Sequence, residues 1–335
     1  MTENTMTTTR RSVDALLEVR DLEVIYTSGS KTVHAVNGVS LALSRGRTLA
    51  LVGETGAGKT TIARSILGIL PNPPAKVLGG SVKLDGTELL GLSEEQLVKI
   101  RGGRIAMIFQ DPMTALNPLM TVGQQIIEGL RLHTDLSAAG ARARAAEMLE
   151  LVGIPATRLD QYPFEFSGGM KQRVVIAMAL ACNPDLILAD EPTTALDVTI
   201  QAQVLDLIVE LRNTYRTAML LITHDLGVVA QVAEDVAVIY GGRIVEQGTR
   251  EDLFLNPRHP YTRGLFAALP SALSDTGRLQ PIAGLPPDPT ELPDGCAFAP
   301  RCPLATTACR TREIDLVELT PGHAVRCIHP EEIAR

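Results

Sequence analysis

Residues 53–60 read Gly53-Glu54-Thr55-Gly56-Ala57-Gly58-Lys59-Thr60 and fit the pattern G-x-x-x-x-G-K-[ST]. A compact apolar run, Thr48–Val52, precedes them, and Thr60–Leu70 has the periodicity of a helix. A strand, a glycine-rich loop and a helix in this order are the context that a phosphate-binding loop requires. The glycines let backbone N–H groups converge on phosphates, and the helix points its positive end at them. We therefore expect a nucleoside triphosphate here, with Lys59 on its β- and γ-phosphates and the Thr60 hydroxyl on Mg²⁺.

A second motif, Leu186-Ile187-Leu188-Ala189-Asp190-Glu191, ends in two carboxylates. An apolar strand would deliver Asp190 and Glu191 at its C-terminal end, where open α/β sheets bind their ligands. Asp190 is expected to hold Mg²⁺ through water, and Glu191 to polarise the water that attacks the nucleotide. Taken alone, the pair could also be a solvated acidic turn.

Two kinds of strand pattern predict an α/β fold. The short apolar runs Ile105–Phe109, Met219–Thr223 and Val236–Tyr240 are typical of buried parallel strands, like Leu186–Ala189 in the second motif. Leu17–Tyr26 and Val39–Leu43 instead alternate like strands of an antiparallel sheet.

Composition divides the chain into three parts. Residues 1–15 are polar and Thr-rich, and we expect a disordered tail. Residues 16–255 form the predicted nucleotide-binding domain, with a helical insertion at about 111–166. Residues 256–335 are rich in Pro, Gly and Cys, which predicts a small appended domain.

Charge and composition argue against binding to nucleic acid, and hydropathy argues against a membrane-spanning helix. The net charge is −7 and aromatic residues make up 3% of the chain, so neither electrostatics nor base stacking favours nucleic acid. A membrane-spanning helix needs about 20 apolar residues, and the sequence has no such run. A membrane role would therefore come through a partner.

A third motif, Ser167-Gly168-Gly169-Met170-Lys171-Gln172-Arg173, opens an amphipathic helix, Lys171–Ala181. Ser167 and the two glycines make an exposed helix N-terminus, which is a second anion-binding device. The alternative is a plain N-cap.

Together these motifs resemble the ATP-binding subunit of an ABC transporter over roughly Leu17 to Leu255. The resemblance rests on the order of the phosphate loop, Gln110, Ser167-Gly168-Gly169, Asp190-Glu191, Asp197 and His224. It implies an ABC-type P-loop ATPase core, with a parallel sheet, an antiparallel β-subdomain and a helical subdomain. It also implies transport-coupled ATP hydrolysis.

The resemblance assigns further roles. Tyr26 would stack on the adenine, and Gln110 would meet Mg²⁺ and report to the membrane subunit. His224 would hydrogen-bond the γ-phosphate. Residues Ser167–Met170 would contact ATP held by a second ATPase subunit, and Asp197 would lie at that interface. The resemblance also implies that Thr61, like residues 53–60, binds the nucleotide.

Each of these residues has a simpler alternative, and one departs from the family pattern. Tyr26 could be a strand aromatic, Gln110 a turn residue and His224 a helix cap. The signature motif usually ends in Gln, where this chain has Met170. The backbone donors of Gly168 and Gly169 survive that change.

Three segments narrow the resemblance to oligopeptide and dipeptide permeases. The segments that carry it are Asn256-Pro257-Arg258-His259-Pro260-Tyr261-Thr262, Phe164–Met170 and Gly295–Pro303. The implied assembly is a peptide importer at the cytoplasmic face of the membrane. The chain would be peripheral there, with a related second ATPase subunit, two transmembrane permease subunits and an extracytoplasmic binding protein. Nickel chelates or glutathione are alternative cargoes.

Four cysteines in the last forty residues have the spacing C-x₅-C-x₆-C-x₁₇-C, at Cys296, Cys302, Cys309 and Cys327. Without a secretion signal, a reducing compartment and hence a metal site are favoured over disulfides. Four thiolates suit Zn²⁺ or an iron–sulfur cluster. The permease resemblance favours a [4Fe–4S] cluster, with zinc or free thiols as alternatives.

Three rival functions predict other sequence features or a different activity. A soluble ABC-type ATPase acting on DNA or ribosomes usually has a long coiled coil or two cores, and neither is present here. A P-loop kinase would not need the Ser167-Gly168-Gly169 motif or a Glu directly after Asp190. A regulatory metal-binding module using nucleotide as a signal would show a low, unstimulated ATPase rate.

Overall fold

The computed structural model describes residues 15–193, 198–267 and 282–330. The expected tail, residues 1–15, lies outside this part of the chain except for Ala15, which begins the first strand. The described strands are β1 (Ala15–Ser28), β2 (Lys31–Ser44), β3 (Thr48–Val52), β4 (Ala75–Leu84), β5 (Thr87–Glu88), β6 (Ile105–Ile108), β7 (Leu186–Asp190), β8 (Ala218–Thr223), β9 (Asp235–Tyr240), β10 (Arg243–Thr249), β11 (Val317–Thr320) and β12 (His323–Val325). The described helices are α1 (Lys59–Leu67), α2 (Glu94–Ile100), α3 (Pro112–Ala115), α4 (Val122–His133), α5 (Ala138–Leu151), α6 (Gly168–Leu180), α7 (Val198–Tyr215), α8 (Leu226–Val232), α9 (Arg250–Leu255), α10 (Pro260–Ala267) and α11 (Thr307–Thr311).

The larger sheet has the strand order β11-β12-β10-β9-β3-β8-β7-β6 within the described residues. Strands β9, β3, β8, β7 and β6 are parallel, and their continuous apolar sequences are buried on both faces. The pairing register places Val52 opposite Thr223, and Asp190 opposite Ile222. The carboxyl ends of β3, β8 and β7 therefore lie at one level, where the phosphate loop begins and the Asp190-Glu191 pair lies.

The smaller sheet is antiparallel, in the order β2-β1-β4-β5. Its apolar residues, such as Val24 and Val36, share a buried cluster with Ile62 and Ile66 of α1. The predicted α/β class and the antiparallel subdomain are confirmed. The predicted helix Thr60–Leu70 ends earlier, at Leu67, because Gly68 takes a left-handed conformation that closes it.

Helices α3, α4 and α5 and two short 3-10 turns occupy the predicted insertion at 111–166. Val122 and Ile126 of α4, with Met148 and Leu149 of α5, pack in one buried cluster with Val174 of α6. The insertion is therefore tied to the helix that follows the third motif.

The C-terminal residues continue the core instead of packing on themselves alone. Strand β12 pairs antiparallel with β10 and so extends the larger sheet. The ring of Phe298 lies 5.3 Å from that of Tyr240 and 5.4 Å from that of Tyr261, in a cluster that includes Val52. The division between residues 255 and 256 stays a prediction. Among the described residues, no helix has both the length and the apolar character needed to cross a membrane.

Candidate nucleotide-binding and hydrolysis site

The predicted motifs meet at one edge of the larger sheet. The loop of residues 53–60 follows β3, His224 follows β8, Asp190 ends β7, and Gln110 lies two residues after β6. Because these four strands are parallel neighbours, their carboxyl ends open on a common crevice. Residues separated by more than a hundred positions in sequence therefore face one site.

Lys59 is buried within the loop, with 6% of its surface exposed. Its Nζ donates to the carbonyl oxygens of Gly53 at 2.7 Å and of Glu54 at 3.0 Å. Burial lowers the pKa of Lys59, and the carboxylates of Glu191, Asp190 and Glu54 act against that effect. A nearly buried cation at the junction of the loop and α1 is well placed to attract phosphate oxygens.

Thr60 and Asp190 form the predicted Mg²⁺ pair. The Thr60 hydroxyl donates to Asp190 Oδ1 at 3.1 Å, which joins the start of α1 to the end of β7. Burial raises the pKa of Asp190, and the hydrogen bond from Thr60 opposes this rise. A hydroxyl and a nearly buried carboxylate in contact are oxygen ligands of the kind that Mg²⁺ prefers.

Glu191 lies between two further predicted residues. Gln110 Nε2 donates to Glu191 Oε2 at 2.8 Å, and His224 Nδ1 lies 3.2 Å from Glu191 Oε1. Glu191 has a φ of +46°, a left-handed conformation that is rare for a residue with a side chain. Such backbone strain concentrates at functional sites. The geometry therefore holds a carboxylate between a side-chain amide and an imidazole.

The signature segment, Ser167–Met170 of the third motif, lies apart from these contacts. Ser167 and Gly168 are exposed, and the Ser167 hydroxyl caps α6 by accepting the Met170 N–H. Met170 contributes its sulfur to a contact with Arg158, at 3.3 Å from Nη1. Within the described residues, no hydrogen bond joins the phosphate loop to this segment. Asp197, the predicted interface residue, lies outside the described residues.

Tyr26 lies beside the loop helix, with its hydroxyl 3.3 Å from Thr61 Oγ1. Its ring is partly exposed at the end of β1. This position is compatible with both the adenine-stacking role and the strand-aromatic alternative.

Gln172 makes a contact near the site that the motifs do not predict. Its buried side-chain amide donates to the Pro192 carbonyl at 2.6 Å, which ties α6 to the residue after Glu191. The position falls inside the third motif, so the signal was present in the sequence. Its partner could not be inferred without the arrangement of the strands.

The C-terminal extension also touches the loop, and sequence patterns gave no sign of it. Arg301 Nη1 donates to Glu54 Oε2 at 2.8 Å, and the Tyr261 hydroxyl accepts the Glu54 N–H at 2.9 Å. These residues lie 247 and 207 positions from Glu54. No local pattern predicts contacts of this range.

The four C-terminal cysteines line one cavity, together with His259, Phe298 and Arg326. Burial raises the pKa values of the thiols of Cys296 and Cys302, and that of Cys327 to about 11. Within residues 15–193, 198–267 and 282–330, however, no three His, Cys, Asp or Glu side chains are disposed to hold a metal ion. The convergence of the thiols is thus observed, but the predicted iron–sulfur or zinc site is not supported by this geometry.

Similarity to known proteins extends over nearly the whole chain. Residues 36–194 match the ABC transporter family model, and residues 245–309 match the model of the oligopeptide/dipeptide transporter C-terminal region. The chain is 51% identical to the probable peptide ABC transporter ATP-binding protein y4tR of Sinorhizobium fredii, over 96% of each chain. It is 50% identical to the dipeptide transport ATP-binding protein DppD of Bacillus subtilis, over 94% of this chain and 95% of DppD.

A solved structure supports the same relationship. The dimeric, post-hydrolysis ATP-binding cassette MJ0796, bound to ADP and Pi, matches with a TM-score of 0.63 and 28% identity. That match covers 70% of this chain and 98% of the cassette. The fold, the convergent site and the near full-length identity agree, so the chain belongs to the ABC transporter ATP-binding proteins, a family of ATPases, and within them to the oligopeptide/dipeptide transporter group.

Proposed function

We propose that this chain powers a peptide importer by binding ATP at residues 53–60 and hydrolysing it beside Glu191. The observation that carries the proposal is the convergence of the loop, Asp190, Glu191, Gln110 and His224 at the carboxyl ends of neighbouring parallel strands. The peptide cargo is supported by the names of the relatives, which include peptide, oligopeptide and dipeptide transport proteins.

The proposed hydrolysis is an in-line displacement by water. The water oxygen attacks the γ-phosphorus, the bond from that phosphorus to the β–γ bridging oxygen breaks, and ADP leaves with inorganic phosphate as the second product. Glu191 polarises the water and receives its proton, while Lys59 and His224 hold the γ-phosphate oxygens. Thr60, Asp190 and Gln110 would hold Mg²⁺, which offsets the charge of the phosphates when bound. Tyr26 would stack on the adenine.

A second ATPase subunit completes the proposed site. Its signature segment, equivalent to Ser167–Met170 here, would close on the γ-phosphate, with Asp197 at the interface. The exposure of Ser167 and Gly168 and the dimeric state of the cassette MJ0796 support this pairing. We expect the partner to be a related but different ATPase, which co-purification from the native membrane would test. A stable homodimer that alone supports transport would contradict it.

Closure of the two subunits would move the membrane partners. Residues 110–125 and the helical insertion are the proposed route from Gln110 to two permease subunits. The chain would thus be peripheral at the cytoplasmic face, and an extracytoplasmic binding protein would deliver cargo. Nickel chelates and glutathione stay alternative cargoes, which uptake by a deletion strain would separate from peptides.

Glu191→Gln tests the hydrolytic assignment. The amide keeps the size of the side chain but cannot accept a proton, so we expect turnover to fall by about 100-fold or more while ATP binding is retained. ATP binding and phosphate release would be measured on the chain assembled with its permease. Glu95→Gln, at an exposed position of α2, is the matched control and should match wild type. Wild-type turnover in Glu191→Gln would refute the assignment.

We further propose that Cys296, Cys302, Cys309 and Cys327 hold a [4Fe–4S] cluster. The donor set is appropriate, since four thiols line a single cavity. Among the described residues no three ligand side chains are placed to hold a metal ion, so the proposal rests on the four-thiol donor set and on the permease resemblance. A bound cluster would supply one-electron redox chemistry and keep the thiols deprotonated.

Anaerobic purification tests the cluster. We expect brown protein that contains iron and sulfide, and a Cys302→Ser variant that has lost the colour. Cys182→Ser is the matched control, since Cys182 lies elsewhere, against the core of the helical region. Colourless wild-type protein with stoichiometric zinc, or with neither metal, would overturn the cluster assignment.

A further inference from the structure

Glu54 is the second residue of the phosphate loop, and it is held from outside the ATPase core. Arg301 forms a charged hydrogen bond with its carboxylate at 2.8 Å, and the Tyr261 hydroxyl accepts its backbone N–H at 2.9 Å. Both partners belong to the C-terminal residues 256–335. The loop that is proposed to bind ATP is therefore in direct contact with the extension.

The guanidinium of Arg301 is itself fixed in place. Its side chain is only 6% exposed. It donates to the carbonyls of Ile282 and Ala283 at 3.1 and 2.9 Å, and to the Tyr240 hydroxyl at 3.1 Å. The rings of Tyr240 and Phe298 each lie 5.8 Å from its central carbon. A guanidinium held this firmly acts as a rigid support for Glu54.

An unpaired carboxylate at Glu54 would oppose nucleotide binding in two ways. It would repel the negatively charged triphosphate that the loop must receive. It would also attract the ammonium of Lys59, whose Nζ already lies 3.0 Å from the Glu54 carbonyl oxygen. Pairing with Arg301 offsets the charge and draws the Glu54 side chain toward the extension.

We propose that Arg301 is a positioning residue for ATP: by binding Glu54 it leaves Lys59 and the loop N–H groups available to the triphosphate. Tyr261 supports the same arrangement by holding the Glu54 backbone. The inference rests on the proposed ATP site at residues 53–60. It adds that the C-terminal extension sets the affinity of that site, without touching the nucleotide itself.

A double-mutant cycle on the full-length chain tests the proposal. The variants are Arg301→Gln, Glu54→Gln and the double variant, and the probe is the magnesium complex of a non-hydrolysable ATP analogue. We expect Arg301→Gln to weaken binding about tenfold when Glu54 is present, and less than about twofold when residue 54 is already Gln. The exposed Arg310→Gln in α11 is the matched control and should bind like wild type.

The kinetic readout separates positioning from general damage. In the chain assembled with its permease, Arg301→Gln should raise KM for ATP while kcat at saturating ATP stays within about twofold. Wild-type affinity in Arg301→Gln would overturn the proposal. So would a double variant as weak as Arg301→Gln, because that result assigns Arg301 to anchoring the extension. If wild-type protein failed to bind the analogue, the proposed ATP site would itself be wrong. That result differs from the two outcomes that would overturn only the role of Arg301.

Discussion

His259 is a buried histidine that stays neutral in the folded protein. Its Nδ1 accepts the backbone N–H of Tyr261 at 3.1 Å, and 1% of its surface is exposed. Burial lowers its pKa to about 3, and the positive charge of Arg326 adds to the effect. An imidazole in the unfolded chain has an ordinary pKa of about 6.5. Below that pH the unfolded chain gains a proton that the native protein does not bind.

This difference predicts a loss of stability in acid. The contribution of His259 is fully present above pH of about 6.5 and falls by about 1.4 kcal/mol per pH unit as the pH drops toward 3. In His259→Asn the amide oxygen can still accept the Tyr261 N–H, but the proton linkage is gone. Between pH 7 and pH 5, the variant should lose about 2 kcal/mol less unfolding free energy than wild type in urea titrations. Equal losses in both proteins would contradict the assignment.

At the scale of elements, the phosphate loop is packed against strand β2. Gly58 precedes α1 with a φ of +101°, and a Cβ placed there would lie 2.2 Å from the Ala35 carbonyl oxygen. Gly56 in the same loop has a φ of +82° but open space around the corresponding position. Both glycines therefore have a positive φ, but only at Gly58 would an added Cβ meet the backbone of β2.

Gly58→Ala and Gly56→Ala form a matched pair. Both should lose about 1 kcal/mol for a side chain in the left-handed region. Gly58→Ala should lose at least about 2 kcal/mol more, because the loop or β2 must move to relieve the clash. Urea unfolding without nucleotide measures both values. Similar losses in the two variants would show that the loop is not confined by β2.

At the scale of the whole molecule, a buried carboxylate joins the extension to the core. Glu246 of β10 has no exposed surface and accepts three hydrogen bonds, from the backbone N–H groups of Arg258 and His259 and from His323 Nε2. These bonds range from 2.7 to 2.8 Å. One side chain in the ATPase sheet thus binds two separate segments of the C-terminal residues.

Glu246→Gln tests how much this junction contributes. The amide keeps one acceptor oxygen but presents an NH₂ group to donors, so at least one bond must be lost. We expect the unfolding free energy to fall by about 1.5–3 kcal/mol, the range for hydrogen bonds to a charged group. Glu23→Gln, at an exposed position of β1, is the control and should change it by less than about 0.5 kcal/mol. If Glu246→Gln left the free energy of unfolding unchanged, the junction would add little stability.

The parts of this fold that sequence could predict are those specified locally. Ile105–Phe109, Met219–Thr223 and Val236–Tyr240 were expected as strands because a continuous apolar run suits burial on both faces, and they form β6, β8 and β9. The phosphate loop was predictable for the same reason, since its residues and its flanking strand and helix are contiguous.

The remaining features depend on contacts between distant residues. Strand β10 carries a glutamate at its centre, and the partners of that buried carboxylate lie 12 to 77 positions away in sequence. The contacts of Gln110 and His224 with Glu191 require the strand order, which no single motif encodes. The ion pair of Arg301 with Glu54 was missed for the same reason.

The pairing of β12 with β10 also limits how the chain can be shortened. A chain that ended at Leu255 would lack β12, while β10 would keep its pairing with β9. The other side of β10 would become an open edge, which is a template for intermolecular association. The truncation would also leave the Glu246 carboxylate facing solvent without its three donors. We therefore expect a chain that ends at Leu255 to self-associate more readily than the full-length chain, and one that ends after Val325 to keep the β10–β12 pairing.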